Sequence, residues 1–284
     1  MAKKKTIIYI LSNQRSGSTL LENVLSKSLE ITSVGELNLL DSHIHKGERG
    51  KTWNWNCSCG QSFENCDFWV EVYKIIGIKN PKEIKRTELI KSSNLRDNAK
   101  NENDNIISLL NKIYDAVFMV SQNAIIVDSS KVPHQGIGLY HNSPFNYKII
   151  HLKRDLRAIT ISKRKWNDKR NRKNVSRIKL LIGSFLYKIM CVRMLKKVDS
   201  NDVLELSYEE FMKAPQAHLD TIADFADFEK FEFPEYMQLQ DDHTVAGTPN
   251  RFEKRKIKYD NRWESVAKKN PFFNLTGYLL GKIG

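Results

Sequence analysis

Residues 7–25 constrain this chain more than any other stretch, because a strand, a tight polar turn and a helix follow one another without a break. Ile7, Ile8, Ile10 and Leu11 form an apolar run of the length expected for a strand buried on both faces. The run ends at Ser12-Asn13-Gln14. Arg15-Ser16-Gly17-Ser18-Thr19 then precedes Leu20, Leu21, Val24, Leu25 and Leu29 at helical spacing. A turn between a strand and a helix start aims backbone N–H groups, and the positive end of the helix dipole, at one point. Gly17 lets the backbone approach that point, Ser16, Ser18 and Thr19 add hydroxyl donors, and Arg15 adds a permanent charge. The expected occupant is a phosphate or sulfate group; a serine-rich helix cap is the alternative.

The pattern G-x-x-x-x-G-K-S/T of nucleoside triphosphate hydrolases does not fit, since its first Gly is absent and Ser18 stands where its Lys would be. Further on, Ile31–Val34, Ala124–Val127, Tyr147–Leu152 and Val203–Ser207 read as four more strands. Helical patterns separate them, the longest at 175–197, with others opening at Pro133, Tyr208 and Pro215. Strands alternating with helices predict an α/β fold of three layers, a central parallel sheet covered by helices on both faces. At 284 residues, one such domain spans the chain. Residues 41–119 read as an insertion at one end of the sheet, aperiodic over 41–67 and mostly helical over 82–119, with a break near Asn101–Asn105. In parallel sheets, ligands bind beyond the carboxyl ends of the strands. The polar residues at those ends are Arg15–Thr19, Glu36, Lys131 and Arg154.

No apolar run reaches the length of a membrane span, and Ile7–Leu11 is too short for the apolar core of a signal peptide, so the expectation is a cytoplasmic protein. The formal charge is +13, densest at Lys163, Arg164, Lys165, Lys169, Arg170, Arg172, Lys173, Arg177 and Lys179. This stretch attracts polyanions or forms a solvated helix face, and no motif for specific nucleic-acid recognition accompanies it. Cys57-Ser58-Cys59 with Cys66 has three readings: a zinc site completed by His43 or His45, a disulfide, or free thiols. Cys191 reads as helix core. Trp53, Trp55 and Trp69 either stack on sugar rings or pack the insertion.

Gln14-Arg15-Ser16-Gly17-Ser18-Thr19-Leu20-Leu21 resembles the 5′-phosphosulfate loop of sulfotransferases, particularly the carbohydrate and tyrosylprotein branches. His151-Leu152-Lys153-Arg154-Asp155-Leu156-Arg157-Ala158, followed by Ser162, is similar to the second signature of that family, V-R-D-P-R-A and a Ser. Leu156 replaces the family Pro. Leu206–Phe211 resembles R-Y-E-D-L, which brings in Tyr208. His243–Phe252, with Asp260 and Trp263, looks like a C-terminal loop that closes over the donor, which brings in Gly247 and Arg251. The segment from Cys57 to Trp69 is also similar to a C-x-C-G…C-P-F-W stretch in some bacterial relatives.

The resemblance implies a fold like that of P-loop proteins and a sulfotransferase. Its donor would be 3′-phosphoadenosine 5′-phosphosulfate (PAPS), and its acceptor a hydroxyl, on a carbohydrate or glycosylated small molecule, that can itself be anionic. Residues 15–20 would hold the 5′-phosphosulfate, and Arg154 and Ser162 the 3′-phosphate. Lys131 and Arg15 would act on the sulfuryl and leaving oxygens, with Glu36 as the base and His43 and His45 as rivals for that role. Fixed positive charge from side chains and N–H dipoles would make a metal unnecessary for the transfer. The competing readings are a tyrosine or lipid hydroxyl as acceptor, a nucleotide-kinase-type phosphotransferase, and a polyanion-binding protein without activity.

Overall fold

A computed structural model describes residues 3–45, 55–84, 100–169, 175–237, 242–248 and 252–283. Arg251, Trp53, Arg170, Arg172 and Lys173, all singled out above, lie outside the described residues.

The chain runs β1 (Thr6–Ser12), α1 (Ser18–Leu25), β2 (Ile31–Gly35), α2 (Leu40–Ile44), α3 (Asp67–Ile75), α4 (Lys100–Ser121), β3 (Ile125–Asp128), α5 (Pro133–Asn142) and β4 (Asn146–Lys153). There follow α6 (Leu156–Asp168), α7 (Arg177–Leu195), β5 (Val203–Ser207), α8 (Tyr208–Lys213), α9 (Pro215–Ala226), β6 (Tyr236–Met237), β7 (Arg255–Lys256), α10 (Arg262–Lys268) and α11 (Pro271–Lys282). Five strands form one parallel sheet in the order β2-β3-β1-β4-β5, and β6 and β7 pair as a small antiparallel ribbon.

The two-residue period of a strand divides β1 between two cores. Ile7, Tyr9 and Leu11 pack with Val72 of α3, Leu110 and Val117 of α4, and Ile137 of α5. Ile8 and Ile10 face the opposite layer, with Leu21 and Leu25 of α1, Phe211 of α8 and Leu219 of α9. A third cluster, Leu156, Ile159, Leu181, Ala267 and Phe273, joins α6 and α7 to the C-terminal helices α10 and α11. The expected three-layer α/β architecture is therefore present.

Each expected strand occurs within two residues of its place, and Val203–Ser207 matches in full. The break expected near Asn101–Asn105 does not. The backbone stays helical from Lys100 to Ser121, a stretch with neither Pro nor Gly to interrupt it. Among the described residues between α2 and α4, loops and a 3-10 turn at Pro81–Glu83 surround the short helix α3.

The sheet order places β1 between β3 and β4, with the chain turning outward to opposite sides after β1 and after β4. That is the topological switch point, where a crevice opens beyond the strand ends. The Arg15 loop follows β1 and Arg154 follows β4, so the two flank it. Among the described residues, no helix is long and apolar enough to cross a membrane.

Candidate active site

The loop after β1 is held in a conformation few residues adopt. Arg15 has φ +74° and Gly17 φ +97°. The left-handed region costs a residue bearing Cβ roughly 1–2 kcal/mol, so Arg15 is held there against its preference. Gly17 N-caps α1 and its carbonyl accepts from Leu20 and Leu21 N–H at 2.9 and 3.0 Å. The first turn of α1 thus presents N–H groups that have no intrahelical acceptor.

A Cβ on Gly17 would lie 2.6 Å from Tyr208 Cδ2. Gly17→Ala is therefore expected to lower stability by about 1–2 kcal/mol from backbone strain alone, and to displace the Tyr208 ring. Thermal unfolding with and without nucleotide measures both. An unchanged melting temperature would show that the loop does not need glycine here.

Arg15 and Arg154 meet at this loop. Arg154 Nη1 donates to Arg15 O at 2.9 Å, and Arg15 Nε donates to Ser162 Oγ of α6 at 3.0 Å. The Arg154 guanidinium lies 4.3 Å from the Tyr208 ring centroid, and its Nη2 reaches Asp260 at 3.4 Å. Burial, then repulsion from Arg154, shifts Arg15 downward from its ordinary value, while Glu36 and Asp260 act in the opposite sense. A crowd of buried positive charge of this kind is unfavourable by itself and is relieved by an anion. Two buried polar atoms here, Ser16 Oγ and Arg154 Nε, find no hydrogen-bond partner among the described residues. Such an orphan costs about 1–3 kcal/mol, and an anionic oxygen would satisfy either. The residues fit a phosphate or sulfate group.

Asp155 caps α6, accepting from Arg157 N at 2.8 Å, and it also binds the Arg157 side chain. Leu156 takes the first helical position with its side chain buried, a place that does not require proline. One turn beyond Ser162, Trp166 lies beside Arg15, with 5.3 Å between guanidinium and ring. Lys163 does not belong to a solvated face. It donates to Asn13 Oδ1 at 3.2 Å and Ser184 Oγ at 3.0 Å behind the loop, and burial pushes it down to about 8. Arg177 leaves the basic stretch as well, bonding Asn270 Oδ1 at 2.8 Å.

Lys131 follows β3 with φ +69°, and its Nζ lies 2.8 Å from Glu36 Oε1, just past β2. The Lys131 side chain is 7 % exposed and that of Glu36 20 %. Their backbones are tied as closely. Tyr187 O–H donates to Lys131 O at 2.6 Å, and Glu36 N–H donates to Val245 O at 2.8 Å. Val245 N–H in turn donates to Val34 O at 2.9 Å, so the 242–248 segment extends the sheet edge by one bridge. Gly35 is required at that contact, because a Cβ would lie 2.2 Å from Val245 O. Gly247, two residues on, has φ +103°.

Glu22 of α1 is buried beneath this pair, accepting from Ser33 Oγ and from Ser129 Oγ, the latter at 2.6 Å. Burial pushes its carboxyl up to about 7, against those two hydrogen bonds. The native state then holds a proton that the unfolded chain releases near its ordinary value of 4.5, so stability falls as pH rises from 4.5 to 7. Asp128, pushed up to about 6 by burial, adds a slope of the same sign. Glu22→Gln is expected to match the native chain near pH 4.5 and exceed it at pH 8 by on the order of 3 kcal/mol. Urea unfolding at both pH values checks it, and an unaltered pH slope would acquit Glu22.

Of the expected site residues, Arg15–Leu20, Arg154, Ser162 and Tyr208 come together at the switch point, with Glu36 and Lys131 paired alongside. His43 and His45 are not in the group of ligand atoms that gathers around the cysteines. His43 Nδ1 contacts Trp55 O at 3.0 Å and His45 Nε2 contacts Ile84 O at 2.8 Å. The histidine beside Cys57 and Cys66 is His243 instead, brought in by the 242–248 segment. Among the described residues no two cysteines form a disulfide, and Cys191 is buried in α7. Trp69 is fully buried and packs the 55–69 segment, so it is not available to a sugar ring. Glu22 carries a sequence signal of its own, an acid inside the apolar stripe of Leu21, Val24 and Leu25. A separate depression of about 870 Å³ lies at the amino ends of the strands, lined by Lys5, Asn111, Asp115 and Phe145. There Lys5 is already paired with Asp115 at 2.6 Å.

An anion cradle at the switch point of a parallel sheet, backed by arginines from two strand ends, places the chain in the P-loop-like fold class. The family model described as the sulfotransferase family matches residues 8–232, and the chain belongs to that family. It is an enzyme that transfers sulfuryl groups. Among solved structures, the sulfotransferase domain from the curacin biosynthetic pathway is similar at 18 % identity and TM-score 0.57, over 94 % of this chain and 92 % of that one. The sulfotransferase domain of the Synechococcus PCC 7002 olefin synthase is similar at 20 % identity and TM-score 0.56, over 99 % and 95 %. No curated protein sequence matches significantly.

Proposed function

We propose that the chain transfers a sulfuryl group from PAPS to an acceptor hydroxyl on a carbohydrate or glycosylated small molecule. The observation that carries this reading is the meeting of Arg15 and Arg154, from the ends of β1 and β4, beside the Glu36–Lys131 pair. PAPS supplies a sulfuryl group on a phosphate leaving group and a separate 3′-phosphate. The N–H groups of residues 15–19 and Arg15 hold the first, together with the Leu20 backbone at the start of α1. Arg154 and Ser162 hold the second, Tyr208 supports Arg154 through its ring, and Gly247 and Arg251 are the remaining candidate contacts to the donor.

Sulfuryl transfer, like phosphoryl transfer, passes through a loose transition state in which charge builds on the leaving oxygen. Lys131 supplies fixed positive charge there, in a site too buried for water to screen it. Glu36 takes the proton from the acceptor hydroxyl. Its side chain is 20 % exposed, which leaves the carboxylate open to an acceptor.

The test is a thermal shift with adenosine 3′,5′-bisphosphate against ATP with Mg²⁺, followed by transfer of labelled sulfate from PAPS to sugars, tyrosine peptides and lipids. A ligand present at 100 times its Kd stabilises by about 2.7 kcal/mol. Stabilisation by ATP alone would replace the donor with a nucleotide triphosphate. Sulfation of tyrosine or lipid but no sugar would replace the acceptor.

A further inference from the structure

We propose that Cys57, Cys59, Cys66 and His243 bind a structural zinc ion that fastens the 242–248 segment to the 55–69 segment. Their ligand atoms all lie within 4.8 Å of one another. Cys57 Sγ and Cys66 Sγ are 3.7 Å apart, Cys59 Sγ and Cys66 Sγ 3.6 Å, and His243 Nδ1 is 3.2 Å from Cys66 Sγ and 3.8 Å from Cys57 Sγ. Tetrahedral zinc with Zn–S near 2.3 Å and Zn–N near 2.0–2.1 Å sets ligand edges of about 3.8 Å between sulfurs and about 3.6 Å from sulfur to nitrogen. Four of the six edges lie within about 0.4 Å of those lengths, and the other two do not exceed 4.8 Å.

The chain builds the corners from three places. Cys57 and Cys59 flank Ser58 in a turn, Cys57 N–H donating to Gln61 O at 2.9 Å. Cys66 is the N-cap of α3. His243 arrives from the far end of the chain and is fixed on several sides. Phe68 stacks parallel to its ring at 4.7 Å, and Trp69 Nε1 donates to its carbonyl at 2.8 Å. Ser58 Oγ donates to Asp242 O at 2.5 Å and accepts from Thr244 N–H at 2.8 Å. These contacts set the imidazole by its ring, carbonyl and flanking peptides, as the shell around a metal ligand does. Cys57 and Cys66 are fully buried. Cys59 and His243 are half-buried, and four protein ligands leave no open coordination position, which marks a structural rather than a catalytic zinc.

The position gives the ion its purpose. Two residues after His243, Val245 pairs with Val34 and Glu36, so the ion anchors the segment that backs Glu36. This inference does not rest on sulfuryl transfer and survives its failure.

The full chain, expressed with zinc and dialysed into metal-free buffer, is expected to carry about one zinc per molecule by mass spectrometry. Cys66→Ser and His243→Ala are expected to fall below about a tenth of that, and Cys191→Ser to keep all of it. Should those variants not fold, cobalt(II) exchanged into the native chain decides: intense thiolate charge-transfer and tetrahedral visible bands support the site. A native chain that holds no zinc and gives no such cobalt spectrum overturns it. Full zinc retention in both ligand variants overturns the assignment of these residues.

Discussion

Glu36→Gln is expected to lower turnover by about 10²–10⁴-fold, the usual contribution of a positioned general base. Glutamine is the informative substitution because its Oε1 still accepts from Lys131 Nζ, now 2.8 Å from the carboxylate. The lysine keeps a partner and its place; only the capacity to take a proton is lost. Glu36→Ala would confound the result, since it leaves a lysine of 7 % exposure without its counter-charge. Losing one partner of a buried pair costs roughly 3–5 kcal/mol, and a collapse of Lys131 would then pass for a loss of base. In the Gln variant, affinity for adenosine 3′,5′-bisphosphate is expected to stay within about twofold, because the donor clamps are built from other strand ends. The loss therefore falls on kcat. Activity close to that of the native chain would remove Glu36 from the proton transfer.

The parts legible in the sequence share one property: each was a local pattern. The five strands are runs of aliphatic residues too short for helices, and their alternation with helical stretches leaves a parallel sheet as the simplest arrangement. Arg15, Glu36, Lys131 and Arg154 were found because each stands just past such a run, where a parallel sheet collects its functional groups. What escaped was set by tertiary contact. His243 lies far along the chain from Cys66, so no spacing rule could nominate it over the nearby His43 and His45. The bridge from Val245 to Gly35 obeys no periodicity either. In the sequence Lys163 is one charge among many, yet burial behind the loop gives it a different environment from Lys165 or Lys169. Glu22 shows the reverse case, an acid whose misfit in an apolar stripe was visible, though its two serine partners were not.

Arg154→Ala is expected to weaken binding of adenosine 3′,5′-bisphosphate by about 10²-fold. A hydrogen bond to a charged group contributes roughly 1.5–3 kcal/mol, and each 1.4 kcal/mol is a factor of ten. The difficulty is that Arg154 also has a structural role, holding Arg15 O at 2.9 Å and stacking on Tyr208. Loosening the loop would weaken binding too. Two measurements separate the causes. If Arg154 acts on the ligand, Arg154→Lys restores part of the affinity through its charge but not all, since a single ammonium cannot match a planar fork already engaged on three sides. If it acts only by holding the loop, the ligand-free melting temperature falls in both variants and the lysine restores nothing. The Glu36–Lys131 pair stands on other strand ends and survives either change. At saturating donor, then, kcat is expected to recover towards the native value while kcat/KM for the donor stays depressed. An affinity unchanged in Arg154→Ala would mean that the two arginines meet for the sake of the fold, and the nucleotide would have to be held elsewhere.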